Sequence, residues 1–207
     1  MTRRMTYIIS ACVAISAAVG LATALAASSS GSAPAPSSIV PQLGTAAKAH
    51  FSVFAQPQAD SEEVARVSET LQGLDVKLDP SSVRLAQSSG DLQVRVAGDS
   101  QSVCLALRIP GKADAGSCAP EASAASPATP IIQTTGYPAG EVSRPGGQLA
   151  VSVLFADGIT NAAITHAGGA PTAVKIVDNT IVLVASEGDT LTWSGPEGKT
   201  YSSRIGV

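Results

Sequence analysis

Aromatic side chains are scarce in this 207-residue chain, at 3% of its residues, and basic residues are fewer than acidic ones. A sugar-binding or base-stacking platform needs several exposed rings, so the low aromatic content argues against both classes of protein. Lysine and arginine together number 13 against 16 aspartates and glutamates, and the basic residues form no cluster. Because neutralising a phosphate backbone needs clustered cations, the sequence excludes a nucleic-acid-binding function.

Sequence motifs for metal, nucleotide and catalytic chemistry are also missing. The two histidines, His50 and His166, have no second His, Cys or carboxylate at the spacing of a metal site. Residues 198–200 match the end of a phosphate-binding loop, but Trp193 stands where the first glycine belongs, so a hairpin turn is favoured. Serine occurs neither in a nucleophile elbow nor in a penicillin-recognising motif. The sequence therefore predicts no catalytic residue, no cofactor and no metal site.

Residues 1–27 have the composition of an export signal. Arg3 and Arg4 precede an uncharged run that closes on an A-x-A-like pattern, which predicts transfer out of the cytoplasm. The run is also about as long as a bilayer-spanning helix, so cleavage and retention as a membrane anchor both stay open. Lipidation of Cys12 is a weaker alternative, because too few residues separate Arg4 from Ser10 for an apolar region and apolar sequence continues afterwards. A twin-arginine signal is also weaker, because the polar Thr6 stands where that pattern has a bulky apolar residue. The predicted localisation is extracytoplasmic, either secreted or anchored to the membrane.

Two cysteines, Cys104 and Cys118, remain in the exported part of the chain. An even pair in an oxidising compartment most simply forms one disulfide, which would stabilise the fold by roughly 3 kcal/mol. The alternative is a redox-active or catalytic thiol, but the chain lacks a Cys-x-x-Cys spacing and a plausible set of His or Asn partners. We expect Cys104 on the less apolar face of its strand, with the disulfide holding the 110–117 loop over the sheet surface.

Composition divides the exported part into a tether, two ordered segments and a linker. Residues 28–48 are rich in Ser, Ala, Gly and Pro, which predicts a disordered tether. We expect a helix and a β-hairpin in residues 49–120 and an all-β segment in residues 131–207. The Ala-, Ser- and Pro-rich residues 121–130 are predicted to link them. Because segments of this size bury little apolar surface alone, we expect the two to pack as one unit.

One strong helix signal precedes a series of strand signals. Asp60 and Glu63 have the spacing of a capping box, and Gly73 stands where a C-terminal cap is expected. Alternating apolar and polar residues then predict strands at 92–96, 103–109, 131–135, 148–155, 159–166, 173–177, 180–185, 190–194 and 200–205. The aspartates between these strands adjoin Gly or Asn, which favours turns over glycosidase carboxylates (Asp157, Asp178 and Asp189). The predicted fold is mainly β, a small antiparallel sandwich or meander with one or two short helices near its N-terminal side, and α+β is the alternative.

Five short motifs are spread over most of the chain after the tether. They are residues 51–54 (Phe-Ser-Val-Phe), 103–105 (Val-Cys-Leu), 117–120 (Ser-Cys-Ala-Pro), 157–159 (Asp-Gly-Ile) and 178–182 (Asp-Asn-Thr-Ile-Val). Together they resemble a loose group of uncharacterised actinobacterial proteins that are secreted or carried on one N-terminal helix. The resemblance implies export, the paired cysteines and a β-rich body, and it implies no activity.

Three hypotheses about function follow. The first is a non-enzymatic cell-envelope or secreted interaction module that contacts another extracytoplasmic protein or the cell wall. It reaches the membrane only through residues 1–27, and only if that segment is not cleaved. The second is an extracytoplasmic hydrolase whose site is assembled from distant residues, with convergent carboxylates or a serine beside His50 or His166. The third is a small-ligand carrier, which would need an apolar cavity inside the sandwich.

Overall fold

Three antiparallel sheets dominate the structure, a computed structural model that describes residues 42–137 and 147–206. The strands are β1 (Arg84–Ser89), β2 (Leu92–Gly98), β3 (Ser102–Arg108), β4 (Ala115–Pro120), β5 (Ile131–Gly136), β6 (Gln148–Leu154), β7 (Thr160–Thr165), β8 (Thr172–Ala173), β9 (Thr180–Ser186), β10 (Thr190–Ser194) and β11 (Thr200–Arg204). The helices are α1 (Thr45–His50), α2 (Ser61–Leu71) and α3 (Glu121–Ala124). This confirms the predicted mainly-β fold. The predicted leader and residues 28–41 of the predicted tether lie outside the described residues.

The sheets and helix α2 stack as four layers. Sheet A has the order β1-β2-β3-β4, sheet B has the order β5-β6-β9, and sheet C has the order β11-β10-β7-β8. Helix α2 packs on one face of sheet A, and the opposite face of sheet A packs on sheet B. The second face of sheet B packs on sheet C, so sheet B is buried on both faces. On β6, Ala150 and Leu154 therefore face sheet A, while Val151 and Val153 face sheet C.

Helix α2 starts where the sequence predicts. The Asp60 carboxylate accepts a hydrogen bond from the backbone N–H of Glu63 at 2.9 Å, which confirms the N-cap. The reciprocal half of the predicted capping box is wrong, because the Glu63 carboxylate forms an ion pair with Arg95 and lies 3.6 Å from Arg108. Arg95 is 2% exposed. A buried guanidinium needs a counter-charge, and this requirement takes the glutamate away from the helix end.

The C-terminal end of α2 also differs from the prediction. A 3-10 turn, Gln72–Leu74, extends the helix, and the left-handed residue that ends it is Asp75, with φ of 53°. Gly73 lies inside the turn and is not the C-terminal cap. Aspartate tolerates the left-handed region better than most residues, because its short side chain can bond locally, so the turn did not require glycine at that point.

The predicted disulfide between Cys104 and Cys118 is present. The two cysteines are directly opposite each other on β3 and β4, and Cys104 is wholly buried against helix α2. The bond thus joins neighbouring strands beneath the helix. Residues 115–117, which were expected to belong to a loop over the sheet surface, are part of strand β4. On β4, Gly116 allows the close approach of α2, because a Cβ at this position would lie 2.6 Å from Leu71 Cδ2.

Order begins earlier than the composition predicts. Leu43 and Ala47 are buried, and the first four residues of helix α1 were expected to belong to the tether. The Leu43 N–H donates to the Asp79 carboxylate at 2.8 Å, which fixes the start of the ordered chain to the β-body. Burial alone would raise the pKa of Asp79, but hydrogen bonds from the Ser81 hydroxyl and from the Leu43 and Ser81 N–H groups outweigh it. The pKa therefore lies below its ordinary value.

The segment predicted as a linker carries structure of its own. Residues 121–124 form α3, whose Ala124 is wholly buried in the cluster between sheets A and B. The Pro127 carbonyl accepts a hydrogen bond from Trp193 Nε1 at 2.7 Å, which ties this segment to sheet C. The cluster between sheets A and B draws residues from both predicted segments, among them Leu105 and Leu154.

Candidate binding surface

The outer face of sheet C is the solvent side of the outermost layer. Its inner face contributes Leu191 and Trp193 to the core, so the alternate residues of β10 point outward. No outward residue of sheet C belongs to any apolar cluster of the described chain, and all are exposed or half-buried. This face is therefore open to a partner.

Hydroxyl side chains cover most of this face. Strand register brings three rows together: Thr165 with Thr190 and Arg204, Ala163 with Thr192 and Ser202, and Thr160 with Ser194 and Thr200. We call these nine residues the hydroxyl face. Each hydroxyl can both donate and accept a hydrogen bond, so the face suits a polar, hydrogen-bonding partner. This face was not predicted from the sequence. The alternation Thr-Leu-Thr-Trp-Ser in β10 is a signal for outward hydroxyls on one strand, but only the register shows that three strands place them side by side.

A packed aromatic cluster supports the hydroxyl face from beneath. The Trp193 ring lies 5.6 Å from the Phe155 ring and 6.1 Å from the Tyr201 ring, centroid to centroid. Trp193 is 1% exposed. Because its ring is packed and its N–H is bonded, the central strand of this face has a fixed position, which lowers the entropic cost of binding.

The charge on sheet C has one sign. Its four strands contain no acidic residue, whereas Arg204 is exposed at the end of β11 and Lys199 is exposed just before it. The Lys199 Nζ lies 5.2 Å from the centre of the Tyr201 ring. Within a chain that is acidic overall, this edge therefore favours an acidic partner.

A groove of about 450 Å³ runs beside β11. It lies between that strand and β5, because both contribute to its lining. The lining residues are Ile132, Thr134, Thr135, Leu149, Glu187, Ser203, Arg204 and Gly206. Its lining combines apolar and hydroxyl side chains with the charged Glu187 and Arg204, so it offers room for side chains of a segment bound at β11.

One of the two histidines pairs with a buried carboxylate. His166 Nδ1 lies 2.7 Å from Asp189 Oδ2, and that oxygen also accepts a hydrogen bond from the Ser186 N–H at 2.7 Å. The Asp189 side chain is 2% exposed and that of His166 is 55% exposed. The second imidazole nitrogen has no hydroxyl or thiol partner among residues 42–137 and 147–206. The pair is an oriented imidazole at the surface, without a neighbouring nucleophile there.

The remaining residues singled out in the sequence have structural positions. His50 is exposed, and its carbonyl accepts a hydrogen bond from the Asp157 N–H at 2.8 Å. Gly198 and Lys199 lie in the β10–β11 connection and Thr200 begins β11, so this segment is a hairpin turn, as predicted. Asp178 lies at a turn with φ of 44°, where its carboxylate accepts a hydrogen bond from Gln56 Nε2. In the part of the chain that the structure describes, no group of His, Cys, Asp or Glu side chains is arranged to hold a metal ion.

A second cluster of charges lies between α2 and sheet A. Asp114 is half-buried near the Glu63–Arg95 ion pair, and burial raises the pKa of the Asp114 carboxyl group, although Arg95, Arg108 and Arg66 partly offset this. These groups neutralise one another beneath the helix. The arrangement is a structural ion-pair network, which holds α2 on the sheet.

The fold and the surface together define a small, disulfide-bonded domain of three stacked antiparallel sheets with an open hydroxyl-covered layer. A cystine of this kind is maintained in oxidising surroundings. The chain matches no protein-family model, no curated protein and no solved structure at a significant level. No helix among the described residues is long and apolar enough to cross a membrane.

Proposed function

We propose that this protein is a non-enzymatic extracytoplasmic interaction module that binds a partner in the cell envelope through the hydroxyl face of sheet C. The observation that carries the proposal is the open outer face of sheet C, where seven hydroxyl side chains lie in three aligned rows. The buried aromatic cluster beneath holds these rows rigid. A rigid, solvated surface rich in hydrogen-bonding groups is suited to recognition.

The proposed location rests on two further features. The sequence of residues 1–27 is typical of an export signal, and the Cys104–Cys118 disulfide is the form that an oxidising compartment maintains. The resemblance to secreted or single-helix-anchored actinobacterial proteins implies the same extracytoplasmic location. Recovery of the intact chain from the cytosol, with both cysteines reduced, would contradict this part of the proposal.

Binding to isolated cell envelopes tests the proposal. The full chain and two variants with equal charge, Thr192→Glu and Ser88→Glu, are sedimented with envelopes of the cells that produce the protein. Thr192 lies in the middle row of the hydroxyl face, while Ser88 is exposed on β1 of sheet A. We expect saturable binding by the wild type and by Ser88→Glu, and at least about tenfold weaker binding by Thr192→Glu. Equal binding by all three, or the absence of saturable binding, would overturn the proposal.

A hydrolase is the second candidate, and the His166–Asp189 pair is the observation that favours it. A buried carboxylate that orients an exposed imidazole is the arrangement that general bases use. Assaying the full chain against ester, peptide and glycan substrates tests this candidate, with His166→Ala as the variant. Turnover that disappears in His166→Ala would establish an enzyme and overturn the non-enzymatic proposal, whereas turnover in neither protein would reject the hydrolase.

A further inference from the structure

The geometry points to strand β11 as a docking edge that takes an extended, acidic polypeptide segment by antiparallel strand addition. This inference rests on the proposed function, because the added strand would extend the hydroxyl face by one strand. It specifies the mode of binding and the chemistry of the partner.

In the β10–β11 hairpin, alternate residues of β11 form backbone hydrogen bonds to β10. The backbone N–H and C=O groups of the other residues lie on the outer edge of the sheet. The Gly195 N–H donates to the Lys199 carbonyl at 2.9 Å, and the Ile205 N–H donates to the Asp189 carbonyl at 2.8 Å. Since bonded pairs recur at every second residue of an antiparallel ladder, the odd-numbered residues of β11 bond to β10. The N–H and C=O groups of Thr200, Ser202 and Arg204 therefore point away from β10, and β11 ends the strand order of its sheet.

Strand β5, on the other side of the groove, has its edge protected. The Tyr137 N–H donates to the Gln148 carbonyl, so the odd-numbered residues of β5 bond to β6. The carbonyls of the even-numbered residues, among them Thr134 and Gly136, therefore lie on the outer edge of the sheet. The first accepts a hydrogen bond from Gln133 Nε2 at 3.0 Å and the second from Lys112 Nζ at 3.0 Å. Such capping prevents strand addition.

The other sheet edges are interrupted in different ways. Strand β1 has a bulge between Leu85 and Gln87, β4 ends in Pro120, and β8 has two residues. On β9, the Thr180 N–H donates to Val177 and the Ser186 N–H donates to Asp189. Strand β11 is a five-residue strand without proline and with unbroken register. Among the described residues, no hydrogen bond occupies the edge N–H and C=O groups of Thr200, Ser202 and Arg204, in contrast to the two ends of β9. Natural sheets protect their edges against pairing, so a regular edge indicates a site for it.

The groove beside β11 defines the side chains of the added strand. Alternate residues of a strand point to opposite faces, so every second side chain would enter the groove that Ile132 and Leu149 line, while the others would continue the hydroxyl face. In an antiparallel pair, residues that are opposite each other share a face. The segment residues that bond to Ser202 and its even-numbered neighbours therefore carry the outward, polar side chains. The residues between them carry apolar side chains that enter the groove.

Charge selects an acidic segment over a second copy of the chain. Lys199 and Arg204 lie at the two ends of β11, and the strands of sheet C carry no acidic residue. Outside these strands, Glu187 lines the groove together with Arg204. If β11 paired with β11 of a second copy about a two-fold axis at Ser202, Arg204 would lie opposite Thr200 of the second copy and beside its Lys199. No acidic residue of β11 would offset the repulsion between these two cations. Tyr201 also stacks on Trp193, so the second copy could not fill the groove with its own ring. Acidic residues flanking the added strand would complement both cations.

A synthetic peptide tests the inference directly. The probe alternates valine and threonine between aspartates at both ends, and its binding to the full chain is measured by calorimetry or fluorescence anisotropy. We expect saturable binding, and at least about tenfold weaker binding of the same peptide with lysines at its ends. The Ser202→Pro variant removes an edge N–H without removing a ladder bond to β10, so it should bind at least about tenfold more weakly. Ser202→Thr keeps the N–H and should bind as the wild type does.

Methylated peptides keep the test valid if Ser202→Pro does not fold. N-methylation of the threonines blocks the N–H groups that would face β11, whereas N-methylation of the valines blocks those that face away. We expect the first peptide to lose binding and the second to keep it. No saturable binding of the aspartate-flanked probe, equal binding to Ser202→Pro, or equal effects of the two methylations would each overturn strand addition.

Two outcomes separate this inference from the proposed function. Envelope binding that is sensitive to Thr192→Glu, together with failure of the peptide, would leave the binding function in place and reject the docking edge. A concentration-dependent dimer that Ser202→Pro dissolves would identify a second copy as the occupant, and would overturn the acidic segment.

Discussion

Replacing Asp79 by asparagine tests how the start of the ordered chain is held. The carboxylate is 6% exposed, and its Oδ2 accepts the Leu43 N–H while its Oδ1 accepts both the N–H and the hydroxyl of Ser81. An asparagine can keep the Ser81 bonds, but its amide nitrogen then faces the Leu43 donor. Leaving that donor unsatisfied costs about 2 kcal/mol. For a chain of this size the melting temperature should fall by about 6 °C.

The pH dependence of this effect has a defined sign. Because the folded-state pKa of Asp79 lies below its ordinary value, the ionised carboxylate stabilises the fold above the unfolded-state pKa, and this stabilisation is lost as pH falls through the folded-state pKa. Urea unfolding of the wild type and Asp79→Asn should therefore differ at about pH 7 and converge below about pH 3. The exposed Asp91→Asn, in the β1–β2 turn, is the control. Equal stability at neutral pH, or a difference that persists in acid, would refute the reasoning.

Three further predictions concern the interface of α2 with sheet A. Gly116→Val should destabilise the fold by about 2 kcal/mol in urea unfolding, because its Cβ would lie 2.6 Å from a methyl carbon of α2; Gly73→Ala, with no heavy atom within 4 Å, should not destabilise it. Replacing both Cys104 and Cys118 by alanine should lower stability by roughly 3 kcal/mol and abolish the effect of reductant on the melting temperature. Burial raises the pKa of Asp114, so ionisation of this carboxyl group opposes folding. Asp114→Asn should therefore raise the melting temperature near pH 7 but not below about pH 3. A lower melting temperature of the variant at neutral pH would contradict this.

Strands with alternating side chains could be predicted from the sequence. Strand β10 has the predicted bounds, and β6 and β11 differ from theirs by a single residue. The alternation of large apolar residues such as Leu191 and Trp193 encodes which side of a strand is buried, and that information is local. The start of α2 could be predicted for the same reason, since the Asp60 cap depends on residues within one turn.

Features that depend on distant residues could not be predicted. Strand β4, with the sequence Ala-Gly-Ser-Cys-Ala-Pro, lacks large alternating residues, and it forms because it pairs with β3 and packs beneath α2. Helix α1 is built largely of small residues whose burial depends on the sheets they meet. The same holds for the candidate surface. His166 and Asp189 are 23 residues apart, and the rows of the hydroxyl face join three strands, so only the register brings these groups together.

Hydrogen exchange of the full chain, with and without isolated cell envelopes, tests the central claim most directly. Partner binding at sheet C should slow exchange in β10 and β11, above all at the edge amides of Ser202 and Arg204, and should leave β1 of sheet A unchanged. Protection confined to sheet A, or no change in sheet C under saturating binding, would contradict the account.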